Sequence, residues 1–298
     1  MKQENKISVS IIIPSFNEGD DVRLSIESAL GQTHPPKEIL VVDDSKDETP
    51  HIIGEYASQG VKLLRGPGKG CCEARNMGME VATGDVIMLL NADVVLPEDF
   101  ISRIAKHYEK GADYVLVESK VFNTDYLLAR FVEAQHHVEH DNRTDLEWTE
   151  GFSCKRSAAQ AIGFIPGNFP VRFCRDWFLG KTLHEKGFRK VIDRTIVVTH
   201  KAPEIFGEYW NVRSTRGRFA VLAQRYLLHR SRTHVFLKLV AKHAILAVLL
   251  ATLVYPLQFV VRAARKSDRG MRDVFPFFAA FVIQEVARAY GEWRGWML

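Results

Sequence analysis

Cysteine is scarce in this chain, with four in 298 residues, at Cys71, Cys72, Cys154 and Cys174. None stands in a Cys-x-x-Cys pair, and vicinal Cys71–Cys72 is poor material for an ordinary structural bridge. A disulfide scaffold is therefore excluded, and reduced thiols in a cytosolic setting are expected. Low-complexity tracts and internal repeats are also missing, which excludes solenoids and fibrous arrays. The opening Met1–Lys6 is polar and leads directly into a strand pattern, without an apolar signal-peptide core, so export of the globular part is not expected. The glycine-rich Gly66-Pro67-Gly68-Lys69-Gly70 lacks the Ser or Thr that would follow the lysine of a P-loop. His136, His137 and His140, with Glu133, put imidazoles at i and i+4, but no His-Glu-x-x-His pattern accompanies them. A polar helix face is the better reading there than zinc hydrolysis.

Charge of both signs is present, but it is unevenly placed. The net charge is +4. Residues 1–200 hold 24 Lys and Arg against 30 Asp and Glu, and residues 201–298 hold 16 against 6. An acidic globular part thus precedes a basic tail whose natural partner is an anionic surface.

Through residue 120 the periodicity alternates between strand and helix. Ile7–Ile13, Glu38–Val42, Val61–Leu64, Val86–Leu90 and Tyr114–Val117 read as buried strands. Between them, Val22, Ile26, Ala29 and Leu30 share a helical face, Glu48–Ser58 and Cys72–Ala82 read as helices, and Pro97 opens a helix with Phe100, Ile101, Ile104 and Tyr108 inside. This succession is an α/β fold with a doubly wound, mostly parallel sheet and helices on both faces, and such sheets bind ligands at the carboxyl ends of their strands. Beyond residue 120, Asp125–Asp141, Arg156–Ile162 and Asp176–Lys186 read as helices, and Trp148–Ser153 and Lys190–Thr199 as extended.

Polar clusters stand where the apolar strands stop: Pro14-Ser15-Phe16-Asn17-Glu18, Asp43-Asp44 and Asn91-Ala92-Asp93. Any one of them is equally explained by capping and turn preferences. Three at one rim point instead to a phosphate-rich ligand with a hard divalent cation, Mg²⁺ or Mn²⁺, which takes carboxylate and phosphate oxygens. Asp93 is the leading ligand candidate with Asn91 as an uncharged helper, and Lys69 and Arg75 are candidates for the phosphates.

The stretch VSIIIPSFNEGDDVRLSIESALGQTHPPKEILVVDDSKDET, followed by ARNMGMEVATGDVIMLLNADVVLPEDF, resembles family 2 of the inverting glycosyltransferases, which have the GT-A fold. The resemblance covers roughly residues 7–200. It implies that Pro14, Phe16, Asn17 and Glu18 line a nucleoside pocket and that Asp43 and Asp44 contact base and ribose. Asn91-Ala92-Asp93 stands where the family has a metal-binding Asp-x-Asp, with Asn in place of the first acid. Phe173-Cys174-Arg175-Asp176-Trp177 resembles the acceptor-side motif, usually Glu-Asp. Arg175 replaces the Glu there, and Asp176 keeps the place of the base that would deprotonate the acceptor hydroxyl. An acceptor that is already an anionic phosphate needs no such base. His200 resembles a histidine that completes metal or diphosphate binding in some relatives, and a surface histidine is an equal alternative.

The tail carries one long apolar run, HAILAVLLATLVYPLQFVV, from His243 to Val261. As a single helix it would reach about 28 Å, just under the hydrocarbon thickness, with Pro256 kinking or breaking it. Val274–Tyr290, rich in Phe but containing Gln284, Glu285 and Arg288, reads as amphipathic, and Trp293 and Trp296 suit an interface. Arg and Lys flank the run on both sides, so a full crossing would break the positive-inside tendency. The expected element is monotopic or re-entrant and rests on anionic lipid at the cytosolic face of the cell membrane. A single crossing and a buried helical subdomain are the alternatives.

The expected whole is a glycosyltransferase domain over 1–210, with a nucleotide-sugar half (1–120) and an acceptor half (121–210), followed by a membrane-association region over 211–298. It would transfer a sugar from a UDP- or GDP-sugar to a lipid-linked or glycan acceptor, with no nucleic-acid partner. Two rivals are a sugar-phosphate nucleotidyltransferase, whose basic glycine-rich signature Pro14–Glu18 does not resemble, and a non-catalytic nucleotide-sugar-binding scaffold.

Overall fold

The computed structural model describes residues 7–140, 143, 147, 150–167, 169, 171 and 177–298. In chain order the elements are β1 (Val9–Ser15), α1 (Asp21–Leu30), β2 (Glu38–Asp43), α2 (Thr49–Gly54), β3 (Val61–Arg65), α3 (Cys71–Val81), β4 (Val86–Leu89), β5 (Val94–Val95), α4 (Phe100–Glu109), β6 (Tyr114–Val121), α5 (Leu127–His140), β7 (Ser153–Lys155), α6 (Arg156–Ala161), α7 (Trp177–Glu185), β8 (Lys190–His200), α8 (Phe206–Tyr226), α9 (Arg232–Thr252), α10 (Val254–Ala264) and α11 (Val274–Met297). Short 3₁₀ turns occupy Ala57–Gln59 and Gly270–Asp273. None of Cys71, Cys72 and Cys154 is in a disulfide.

Chain contacts divide into two compact units. One is drawn from Met1–Lys120, Thr144–Asn168 and Cys174–His200, the other from Val121–Arg143, Phe169–Phe173 and Lys201–Leu298.

The first unit is built on a mixed sheet of order β3-β2-β1-β4-β7-β6-β8-β5. The neighbours β3-β2-β1-β4 are parallel, whereas β7 joins β4 and β6, and β5 joins β8, in antiparallel pairs. β1 and β2 are buried along their whole length because alternate side chains serve two cores. Ile11, Ile13, Ile39, Val41 and Met88 enter one, and Ile12, Leu40, Val42, Ile87 and Leu89 enter the other. On the second face Gly78 brings α3 so close to β1 that a Cβ there would overlap the Ile12 side chain. The first strand runs two residues beyond the predicted Ile13 and includes Pro14. Pro14 falls past the last β1–β4 pair, Ile12↔Leu89, so its missing N–H removes no rung from that ladder.

The second unit is helical. Phe131, Tyr209, Phe259, Phe277 and Phe281 form its core, with the Phe131 and Phe277 rings edge-on at 5.2 Å. Buried Arg130 grips Asp273 through Nε (2.8 Å) and Nη2 (3.2 Å), while its Nη1 donates to the carbonyls of Thr124 and Asp125. α8 and α11 approach backbone to backbone. A Cβ at Gly217 would overlap the Arg288 carbonyl oxygen, and one at Gly291 would overlap that of Ser214.

One expectation for the tail holds and one changes. As Pro256 predicts, the His243–Val261 run is broken, at Leu253 (φ 58°) between α9 and α10. Pro256 explains the position: it tolerates the first turn of a helix but clashes with the carbonyl four residues back, so the break precedes it. Val274–Tyr290 does not keep a free apolar face, because Phe277, Ala280 and Phe281 are spent on the core of this unit. Trp293 and Trp296 likewise pack against Val221, Val235 and Leu239. Among the described residues only α9 is long and apolar enough to cross a membrane by length and composition.

The glycine contacts give a paired prediction. Gly291→Ala should cost about 1–3 kcal/mol in denaturant unfolding by forcing α8 and α11 apart. Gly207→Ala meets no atom within 4 Å and should be neutral or stabilise by a few tenths of a kcal/mol.

Candidate active site

Parallel pairing carries the ends of β1 and β2 to one rim, with Ser15 opposite Asp43. The loops that follow are bonded to each other. Ser45 donates to the fully buried Asp43 through both Oγ (2.5 Å) and N–H (3.1 Å), and the Asn17 N–H donates to Ser45 Oγ at 2.6 Å. Asn17 Oδ1 in turn accepts from the Lys46 N–H at 3.0 Å, with Asn17 in the left-handed region (φ 55°) that Asn tolerates better than most residues. Asp43 therefore spends its carboxylate on shaping the rim. Asp44 is half-buried and accepts the Gly68 N–H at 2.7 Å, tying the glycine-rich loop to the end of β2. Phe16 remains 58% exposed beside these loops, a bare aromatic face at the rim. Pro14 is buried in β1, and Lys69 is exposed on the glycine-rich loop.

At the centre, Arg75 is buried and donates from Nη2 to Asn91 Oδ1 at 2.6 Å. It is thus held against the Asn91–Asp93 segment rather than standing free in solvent. Ala92 is buried, and Asp93 leads into β5. The antiparallel register Val94↔His200 sets His200 beside it. Burial first, then the negative charges of Glu150 and Asp21, hold the Asp93 carboxyl above its ordinary pKa, and His200 opposes them. Glu18 behaves alike: burial, followed by the charges of Asp93 and Asp21, pushes it up to about 7. Four carboxyl groups (Glu18, Asp21, Asp93 and Glu150) thus share a site with excess negative potential.

That potential is what a divalent cation would relieve. Among the described residues no three His, Cys, Asp or Glu side chains close to ligation distance. The donor set still fits a hard ion of the Mg²⁺ type, which commonly takes one or two carboxylates and fills its remaining positions with substrate phosphates and water. Asp93 and His200 are the protein groups that would hold it. Asp176 and its neighbours Phe173–Arg175 lie outside the described residues.

The sequence reading passed over Asp21 and Glu150. Asp21 opens α1 and looks like an ordinary helix-start acid. Glu150 lies in a segment with no motif, and only the pairing of β7 with β4 carries it to the rim.

Residues 10–167 match the family model for glycosyl transferase family 2. Among curated proteins, the chain is 31% identical over 130 residues to the UDP-Glc:alpha-D-GlcNAc-diphosphoundecaprenol beta-1,3-glucosyltransferase WfgD of Escherichia coli, covering 43% of this chain and 51% of that protein. It is 34% identical over 116 residues to an undecaprenyl-phosphate 4-deoxy-4-formamido-L-arabinose transferase of Pectobacterium carotovorum, covering 36% of each. The matched region thus spans about half or less of these relatives. Among solved structures, the mannosyltransferase PcManGT of Pyrobaculum calidifontis, in complex with GDP-Man and Mn²⁺, superposes with a TM-score of 0.60 at 18% identity, over 95% of this chain and 87% of that one. That likeness concerns the fold.

The raised Glu18 has a consequence for stability in metal-free protein. Between pH 4.5 and about 7 the unfolded chain has released the Glu18 proton while the folded one retains it. Stability should therefore fall as pH rises through that window, by up to about 3 kcal/mol, and stay low above it. Glu18→Gln should flatten this slope and raise Tm at pH 8 in EDTA. Melts of both proteins across pH 5–8 check it, and an unchanged slope would count against the charge cluster.

Proposed function

The chain belongs to glycosyl transferase family 2, and from that membership we propose that it transfers a sugar from a UDP- or GDP-sugar, with inversion, to a lipid-linked acceptor at the cytosolic face of a membrane. The family match over residues 10–167 carries the reading, because it takes in every rim cluster from Pro14 to Asp93.

In this reading the exposed ring of Phe16 stacks on the nucleoside, and Asp44 bonds the nucleotide beside the glycine-rich loop that it anchors. Arg75, fixed on Asn91, holds positive charge behind the diphosphate. A divalent cation on Asp93 and His200 would neutralise charge on the departing diphosphate. Across the sugar, Asp176 removes the proton from an acceptor hydroxyl so that attack runs in line. With an acceptor that is itself a phosphate, Asp176 would orient rather than deprotonate.

The lipid-linked acceptor is supported by the undecaprenyl-linked substrates named for the two relatives and by the tail. α9 and α10 are separated at Leu253, which is left-handed (φ 58°). Ile245, Val248, Leu253, Val254, Tyr255 and Leu257 are exposed on either side of this break, and Lys238, Arg262 and Arg265 are exposed farther from it along the two helices. An exposed apolar stretch flanked by basic residues suits a segment that dips into the lipid headgroup layer without crossing. The other face of α9 is held by Glu292 on α11, which bonds Lys242 and the His243 ring (2.9 Å).

A thermal-shift panel of UDP, GDP and their sugars with Mn²⁺ tests the donor assignment, since a ligand of the native state raises Tm. One nucleotide family should stabilise the chain, and Asp93→Ala should abolish the Mn²⁺-dependent part of the shift. Transfer to undecaprenyl-linked acceptors should fall by at least 100-fold in both Asp93→Ala and Asp176→Asn. Unchanged turnover in both variants would sink the mechanism. Replacing Ile245, Val248 and Leu253 with Ser should release the protein from vesicles containing anionic lipid while leaving the nucleotide shift intact. Retention on the vesicles would refute the α9–α10 anchor.

A further inference from the structure

The helical unit carries a cavity of about 210 Å³ walled by α5, α9, α10 and α11. Leu246, Leu249, Phe259 and Phe281 supply the apolar part of its lining, and Glu139, Gln284, Glu285 and Arg288 the polar part. Ile245 and Tyr255 line it as well and are exposed on either side of the Leu253 break. The cavity therefore opens beside the apolar stretch assigned above to the lipid headgroup layer. Gln284 is 3% exposed and Glu285 8%. Gln284 Oε1 accepts from the Tyr209 hydroxyl at 3.2 Å, but the Glu285 carboxylate accepts no hydrogen bond among the described residues. Its ion-pair partner Arg288 stands 3.6 Å away and also faces Glu292, at 3.7 Å. Lys242, a further lining cation, is bonded to Glu292. A buried carboxylate without a hydrogen bond is costly, and Glu139 adds a second carboxylate to the lining. Burial first, then the charges of Glu285 and Glu139, raise the Tyr255 hydroxyl above its ordinary pKa, so both acids are felt where the cavity meets the surface.

We propose that this cavity takes the headgroup of an ethanolamine phospholipid, its ammonium on Glu285 and its phosphate on Arg288. The inference rests on the membrane contact proposed above and concerns which lipid is held there, not the transfer reaction. The N–H donors of a primary ammonium supply what the buried carboxylate lacks. The Arg288 guanidinium, half-buried beside Glu285, matches a phosphate joined to the amine by a short ethylene link. At about 210 Å³ the cavity is below the roughly 300 Å³ of an ordinary ligand pocket. It thus seats a headgroup, and the acyl chains stay in the lipid layer beside Ile245 and Tyr255. A choline head does not serve, because its quaternary nitrogen has no N–H to give. An anionic glycerol head brings no cation to Glu285.

Partition of the full chain onto vesicles of equal phosphatidylglycerol content, the remainder being either phosphatidylethanolamine or phosphatidylcholine, tests this. The wild type should bind the ethanolamine vesicles about tenfold more tightly. That preference should survive one N-methyl group on the ethanolamine lipid, which leaves N–H donors in place, and should vanish with the third. Glu285→Gln keeps the shape and removes the charge, so it should bind both vesicles at the strength of wild type on choline lipid. It should melt at or above the wild-type temperature, because no hydrogen bond to the carboxylate is lost, and its nucleotide-dependent shift should be unchanged. Equal binding of the wild type to the two vesicles means that the cavity holds water only, which overturns the proposal and leaves the membrane contact standing. Loss of the preference at the first methyl group, or a preference that persists in Glu285→Gln, overturns it as well, since lipid packing then accounts for the difference. A wild type that binds neither vesicle overturns this proposal together with the α9–α10 contact, and leaves the donor assignment untouched.

Discussion

A carboxylate in a low-dielectric site is costly unless something offsets its charge, and Asp93 sits in such a site with Glu18, Asp21 and Glu150 around it. The sheet is what holds these groups together against their repulsion. Glu18 and Asp21 arrive from the end of β1 and the start of α1, Asp93 from the end of β4, Glu150 from the approach to β7 and His200 from the end of β8. Each position is set by a strand whose register is fixed by apolar residues buried on both faces. Stability is spent to keep like charges close, which is common where a site is built for an ion or an anionic ligand.

The rim loops are shaped by polar contacts of another kind. Buried Asp43 organises Ser45, Ser45 organises Asn17, and Asn17 returns to Lys46, closing a ring of hydrogen bonds between the loops after β1 and β2. Asp43, an expected donor contact, also braces the rim, and its half-buried neighbour Asp44 is tied to Gly68. Paired acids at a strand end divide the labour, one inward and one outward, because successive side chains of an extended segment point to opposite sides.

In the helical unit buried ion pairs stand beside an apolar core. Buried Glu292 carries Lys242 and His243, while Arg130 and Asp273 join α5 to the turn before α11. Each such pair is costly to break, because removal of one partner strands a buried charge. Phe277, Phe281, Trp293 and Trp296 of α11 pack within this unit. Exposed apolar residues stand on either side of the α9–α10 break, where Leu253 and Pro256 divide one long run into two helices.

The sequence by itself determined the strands and helices of the first 120 residues, the rim at which the polar clusters gather and the family, since these depend on local periodicity and on residues adjacent in the chain. Val61–Leu64, Cys72–Ala82 and Tyr114–Val117 were legible because burial on one or both faces writes a period into the sequence. The two-residue β5 has no period to read, and the end of β1 was obscured by Pro14, which is acceptable only because of where β4 stops. Glu150 and Asp21 became site residues, Asp43 a brace and Arg75 a buried partner of Asn91 only in the tertiary structure. The physical reason is that partners are chosen by strand order, register and loop conformation, and the chain carries no mark of the choice. This holds whether the partner stands 2 positions away (Asp43 and Ser45), 16 (Arg75 and Asn91) or on another strand of the sheet.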